Sequence, residues 1–262
     1  MRARMKELLE HMDRLGRQDF DLHMHTTFCD GKNTAEEMVC SAIEKGLYCV
    51  GISTHAPTSF DRSYAIRIER FPAYLAEMER LKEKYSDKIR VLCGLEMDLY
   101  SELEKEYLEK VDYIIGSVHY IEKNGEYVCV DYSANVLRDA CDRLWKGDPY
   151  EMVGDYYRCV ASVCERLDPD IIGHIDLITK FIERDDLFDM RSSEYENHAF
   201  SAIRKLVSYG VPFEMNYGAI SRGYRTTPYP DTPLHDFVLE NGGRIIKSSD
   251  AHSASAILSF KD

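Results

Sequence analysis

Short apolar runs recur along the chain, and between them apolar positions return every three or four residues. The runs at 19–25, 48–54, 90–97, 112–119, 170–175, 211–217 and 244–249 read as strands. They are rich in Ile, Val and Tyr and mostly lack polar alternation, which predicts strands buried on both faces. Helical spacing covers 69–86, 136–145, 149–166, 193–209 and 233–241, with Pro72 suited to a first turn. Thr34-Ala35-Glu36-Glu37 has the form of a capping box, and Gly46 suits the end of the helix it opens. Residues 1–17 predict an extra helix ahead of a single domain at 18–262. Asn124-Gly125, within 121–132, predicts a hairpin or active-site loop. The stretch 218–232, rich in Gly, Pro and Arg, predicts an irregular loop after a strand.

Strand and helix in alternation indicate a parallel α/β architecture. Closed barrel and open sheet both satisfy that pattern, and the polar residues at the strand ends decide between them. His23, His25, His55, His119, His174 and His252 lie at or just past strand ends, accompanied by Asp30, Glu96 and Asp250. In a barrel the C-terminal ends of all strands converge on one mouth. An open sheet would hold several of these residues far apart. The expectation is a distorted seven-stranded (β/α)7 barrel.

Composition narrows the chemistry. With 33 basic and 46 acidic residues the net charge is −13. A surface of that sign repels nucleic acid, whereas a small phosphorylated substrate remains compatible because bound cations reverse the local field. No run is long and apolar enough to cross a membrane, and the charged N-terminus lacks the apolar core of a signal peptide. The eight cysteines form no C-x-x-C pair and read as reduced core residues of a cytoplasmic protein. Cys29 neighbours Asp30, but nine nitrogen and oxygen ligands suffice without it.

His23-x-His25 ends a strand, so both rings point to one side. Alone, such a pair is weak evidence. Asp250-x-His252 ends the last strand, which neighbours the first when a barrel closes. His55, His119 and His174 each have an ordinary explanation as backbone hydrogen-bonding residues, and Asp30 beside Gly31 could simply make a turn. Six such coincidences on one rim favour a metal cluster of Zn, Fe or Mn. Glu96 ends an apolar run with no basic neighbour in sequence; bridging two cations would offset the cost of burying it. His11, His198 and His235 fall on helices and read as surface or packing residues.

These residues occur within DLHMHTTFCDG, STHAP, GLEMD, GSVHY, IIGHIDLITKF, EMNYGAISRG and SSDAHS, in that order. Over nearly its full length the chain resembles the PHP (polymerase and histidinol phosphatase) superfamily, and within it the histidinol-phosphate phosphatase branch. The resemblance implies a trinuclear centre of divalent ions. His23, His25, Glu96 and Asp250 would hold the first, and Glu96, His119 and His174 the second. Asp30, His55 and His252 would hold the third. Glu96, Asp250 and His252 would be catalytic, with Lys180 and Arg222 as phosphate contacts; Arg225 is the other arginine near that segment. The chain ends ten residues after His252, where members continue into another helix. The N-terminal helix is expected to take that place, or the barrel to close less tightly.

The activity implied is hydrolysis of L-histidinol phosphate to L-histidinol and phosphate, with a metal-bridging hydroxide as nucleophile. Glu126 and Tyr224 are candidates for reading the rest of that substrate. Alternatives are a related phosphoesterase acting on nucleotides or phosphotyrosine, an amidohydrolase-type C–N hydrolase, and a non-catalytic metal-binding module. Glu96, standing where amidohydrolases often carry a bridging lysine, disfavours the second of these.

Overall fold

The computed structural model describes residues 1–261. Seven parallel strands form a nearly closed barrel: β1 (Phe20–Asp21), β2 (Cys49–His55), β3 (Arg90–Asp98), β4 (Tyr113–Ser117), β7 (Ile171–Ile172), β8 (Phe213–Asn216) and β9 (Ile245–Ser248), hydrogen-bonded in that order. The hairpin expected around Asn124-Gly125 is β5 (Tyr120–Lys123) paired antiparallel with β6 (Glu126–Cys129). Asn124 and Gly125 both have positive φ, as a two-residue primed turn requires.

Helices connect the strands: α1 (Ala3–Leu15), α2 (Ala35–Glu44), α3 (Phe71–Lys84), α4 (Lys105–Leu108), α5 (Ala134–Leu144), α6 (Pro149–Val160), α7 (Val163–Leu167), α8 (Ser193–Val207), α9 (Gly218–Ser221) and α10 (Thr232–Glu240). The capping box is present: Thr34 Oγ1 accepts from the Glu37 amide, and the Thr34 amide donates to Glu37. The single helix expected over 149–166 is two. The Ser162 hydroxyl donates to the Cys159 carbonyl at the break, a local bond that competes with the helical ladder.

The seam between β9 and β1 is closed largely by side chains. The Gln18 amide donates to the Phe20 and Lys247 carbonyls and accepts from the Lys247 amide. Nearer the mouth, Met24 and Ala251 form a parallel bridge. The C-terminal segment runs along α2, where Ser41 donates to the Ala254 carbonyl.

The N-terminal helix does not fill the place of a last barrel helix. Its partners lie at the starts of strands: Arg2 pairs with Asp170, Glu7 with Arg90, and Arg244 donates to the Leu9 carbonyl. It therefore crosses the bottom of the barrel, where Met5, Leu8 and Leu9 join Phe20, Leu92, Tyr113, Ile171 and Ile246 in one cluster. Tyr113 fills the interior and donates to the Leu22 carbonyl. Gly94 makes room for it, since a Cβ there would stand 2.2 Å from the Tyr113 ring.

Leu8→Ala opens a cavity in this plug and is expected to lower stability by roughly 2–5 kcal/mol. Urea denaturation checks this, and a loss below about 0.5 kcal/mol, the range of ordinary surface changes, would show that α1 does not close the barrel.

Candidate metal centre

Parallel register assembles the mouth. His55 and Glu96 are partners across β2 and β3, so their side chains emerge side by side. At the seam, strand alternation turns Met24 and Ala251 one way and the residues flanking them the other. His23, His25, Asp250 and His252 thereby face the interior together. Asp250 has φ 47°, a left-handed conformation that carboxamide and carboxylate side chains tolerate better than most. Gly218 allows its approach, because a Cβ there would meet Asp250 Oδ2 at 2.4 Å.

Glu96 stands at the centre. Its Oε2 lies 2.9 Å from His23 Nε2, 3.3 Å from His25 Nε2 and 3.1 Å from His55 Nδ1. Its Oε1 lies 3.0 Å from His174 Nε2 and 3.3 Å from His119 Nε2. Asp250 Oδ1 is 3.3 Å from His25 Nε2, and Asp30 Oδ2 is 3.2 Å from His252 Nε2. All nine residues anticipated from sequence thus meet at one mouth. Donor atoms within 4.8 Å of one another form four overlapping groups: His25–Asp30–His55–His252, His23–Glu96–His174, His23–His25–Asp250 and His55–Glu96–His119. The first contains the expected third set with His25 added. His119 and His174 fall into separate groups, each with Glu96.

The donor set fits divalent cations. His25 Nε2 is buried and makes no hydrogen bond, although two carboxylate oxygens lie 3.3 Å away. Burial, then the charge of His25, push His55 down to about 3, which leaves it a neutral imidazole with a free lone pair. Burial would raise Glu96, but the charges of His23 and His119 outweigh it and hold its carboxyl well below the usual range. Cys29 Sγ lies 3.5 Å from His25 Nδ1 and belongs to none of the four groups.

Two carboxylates not anticipated from sequence lie behind the candidate ligand rings. Glu214 Oε1 lies against His23 Nδ1 and accepts from Ser248, while Oε2 accepts from the His174 amide and from Asn216. Asp98 accepts from the His119 amide, and its Oδ2 is 3.5 Å from His119 Nδ1. The bond from Glu214 fixes the orientation and tautomer of the His23 ring, and Asp98 anchors the backbone at His119. The signal for Glu214 was the one used for Glu96: an acidic residue inside an apolar strand.

Above the cluster lies a cavity of about 300 Å³. Lys180 and Arg222 both line it. Lys180 Nζ is 2.9 Å from Asp131 Oδ2, and Arg222 donates to Asp250 Oδ2 at 3.0 Å and lies 2.8 Å from His252 Nδ1. Arg225, the second arginine considered, is buried behind the wall against Thr179, Asp176 and Asp231. Tyr224 lines the cavity, whereas Glu126 lies outside it and pairs with Arg143. His11 pairs with Asp19, His235 with Asp236, and His198 packs beside Gly154, all outside the cluster.

Residues 21–218 match the PHP domain family. The histidinol-phosphatase of Bacillus subtilis is 27% identical over 265 residues, covering 92% of this chain and 96% of that protein. The Listeria monocytogenes protein designated hisK superposes with a TM-score of 0.78 at 23% identity, over 91% of this chain and 97% of its own. The histidinol phosphate phosphatase of Lactococcus lactis, crystallised with zinc, L-histidinol and phosphate, superposes with a TM-score of 0.65 at 20% identity, over 90% and 87%. Both structures carry the same barrel fold.

Glu214→Gln keeps the shape of that side chain while removing its charge. It is expected to weaken metal retention about 10- to 100-fold. Chelator competition followed by metal analysis measures this, with circular dichroism as the folding control; unchanged retention would reduce Glu214 to a packing residue.

Proposed function

The chain belongs to the PHP domain family, and we propose that it hydrolyses L-histidinol phosphate to L-histidinol and phosphate using divalent metal ions. One observation carries the reading: seven of nine clustered ligand-type side chains line a cavity of about 300 Å³ together with Lys180 and Arg222, and His23 and His25 complete the cluster beneath it. The full-length match to the Bacillus subtilis histidinol-phosphatase supports the choice of substrate.

His23, His25, Glu96 and Asp250 would hold one ion, Glu96 with His119 and His174 a second, and Asp30, His55 and His252 a third. The overlapping donor groups are compatible with this division, with His25 and His23 each near a second set. Zn, Fe and Mn all suit such ligands. When bound, these ions supply a water acidified toward neutral pH and neutralise charge on the phosphate. The chain's own residues do the positioning. Arg222, held against Asp250 and His252, presents a guanidinium to the phosphate oxygens at the cavity wall. Lys180, only 8% exposed and fixed by Asp131, adds a second cation. Glu214 keeps the His23 ring oriented, and Asp98 holds the backbone at His119, while charge builds on the transferring group.

The net charge of −13 supports a small substrate rather than nucleic acid. Eight free cysteines fit a reducing, cytoplasmic compartment. Among the described residues no helix is long and apolar enough to cross a membrane.

The test is phosphate release from L-histidinol phosphate by protein reconstituted with Mn, Zn or Fe. Release far above that from nucleotide and phosphotyrosine controls is expected, and preference for either control would overturn the substrate assignment. Glu96→Ala should abolish turnover and reduce bound metal; near-normal activity and metal content would sink the scheme. Removing the guanidinium in Arg222→Ala should lower kcat/KM about 10- to 100-fold, the worth of a charge-assisted hydrogen bond, and an unchanged value would remove Arg222 from the phosphate site.

A further inference from the structure

The acidic residues of the cavity are not equivalent. Asp30, Glu96 and Asp250 lie among the imidazoles, and Asp131 is paired with Lys180. Asp61 also lines the cavity, yet it makes no ion pair among the described residues. It sits in the connection between β2 and α3 and is held from several sides. Asp61 Oδ1 accepts from the amide and hydroxyl of Ser63 at 2.8 and 2.7 Å, and Oδ2 accepts from the Tyr120 hydroxyl at 2.6 Å. The Thr58 hydroxyl donates to its carbonyl at 2.6 Å. These bonds outweigh partial burial and hold the carboxyl below its usual range, so it is anionic at neutral pH.

An oriented anion without a cation therefore stands on this wall. A cationic group that can also hydrogen-bond would satisfy it. The topology gives this wall its place. Asp61 follows β2, whereas Lys180 and Arg222 follow β7 and β8, and at least two strands separate these groups in either direction around the barrel. The cavity is thus polarised, with cations on one side and a free anion on the other.

We propose that Asp61, supported by Tyr120, is the specificity-determining residue that accepts a primary ammonium group on the carbon chain of the phosphate ester. This rests on the phosphatase reading above and deepens it. No covalent step is involved; the interaction orients the ester so that its phosphate meets the cationic side of the cavity.

The experiment compares two substrates in wild type and Asp61→Asn: L-histidinol phosphate, and the desamino analogue that keeps the imidazole and phosphate. Wild type should prefer the amine ester. Asp61→Asn should lose about 10- to 100-fold in kcat/KM on the amine ester, mainly through KM, and change little on the analogue, which also serves as the folding control. Equal losses on both substrates, or no loss on either, would overturn the inference. So would a wild type that treats the two esters alike, an outcome that leaves the phosphatase reading standing. If wild type releases phosphate from neither, the phosphatase reading fails. Calorimetric binding of L-histidinol to metal-loaded wild type and Asp61→Asn then decides the inference alone: weaker binding by the variant upholds it, and equal binding or none overturns it.

Discussion

A carboxylate buried among imidazoles constrains everything around it. Glu96 is 1% exposed, and five histidine nitrogens stand within 3.3 Å of its oxygens. Neutral rings cannot offset a buried anion, and rings that all carried protons would repel one another across the same few ångströms. Cations shared between the carboxylate and the ring lone pairs remove both difficulties. Folding and metal affinity are then linked, because the ligands come together only in the folded barrel. Tyr113 and the α1 plug fill the lower barrel, leaving the upper mouth to charged residues.

Much of this was legible along the chain because parallel strands end at a common place. All seven barrel strands lie within the predicted runs or extend a residue past them, and eight of the nine ligand candidates were strand-end or near-strand-end residues. Asp30, the loop residue with the simplest alternative as a turn former, is nevertheless drawn to His252. What escaped was whatever depends on partners distant in sequence. Glu214 acquires its role from His23, 191 positions away, and Asp61 acquires its orientation from Tyr120, 59 positions away. The break after α6 was also hidden, since it comes from one hydroxyl rather than from periodicity. The N-terminal helix was foreseen as an element, but its seat beneath the barrel depends on pairings with Asp170, Arg90 and Arg244 that no local pattern encodes.

The two arginines of the loop after β8 lie three positions apart and on opposite sides of the cavity wall. Arg222 ends the short turn of α9 and turns toward Asp250 and His252. Arg225 is 5% exposed, beneath the same loop, with its ring of acceptors drawn from the segments after β7 and before α10. One arginine is available to a ligand, and the other ties the loop that presents it. Their different tasks follow from which side of a single loop each side chain leaves.

Because the loop after β8 and the connection after β2 reach the mouth from different sectors, the two walls of the cavity can diverge in charge without disturbing the cluster between them. The proposed ions and the β7–β8 side would address a phosphate, a demand common to many esters. The β2 side and the β5–β6 hairpin address whatever the phosphate is attached to, and here they meet: Phe60 stacks on Tyr127 of the hairpin at 3.9 Å, and Tyr120 of the hairpin holds Asp61. An aromatic contact between two loops thereby fixes a single carboxylate at the cavity wall. Chemistry is set by residues that strand register cannot move, and selectivity by residues on loops that can change length and sequence while the barrel stays closed.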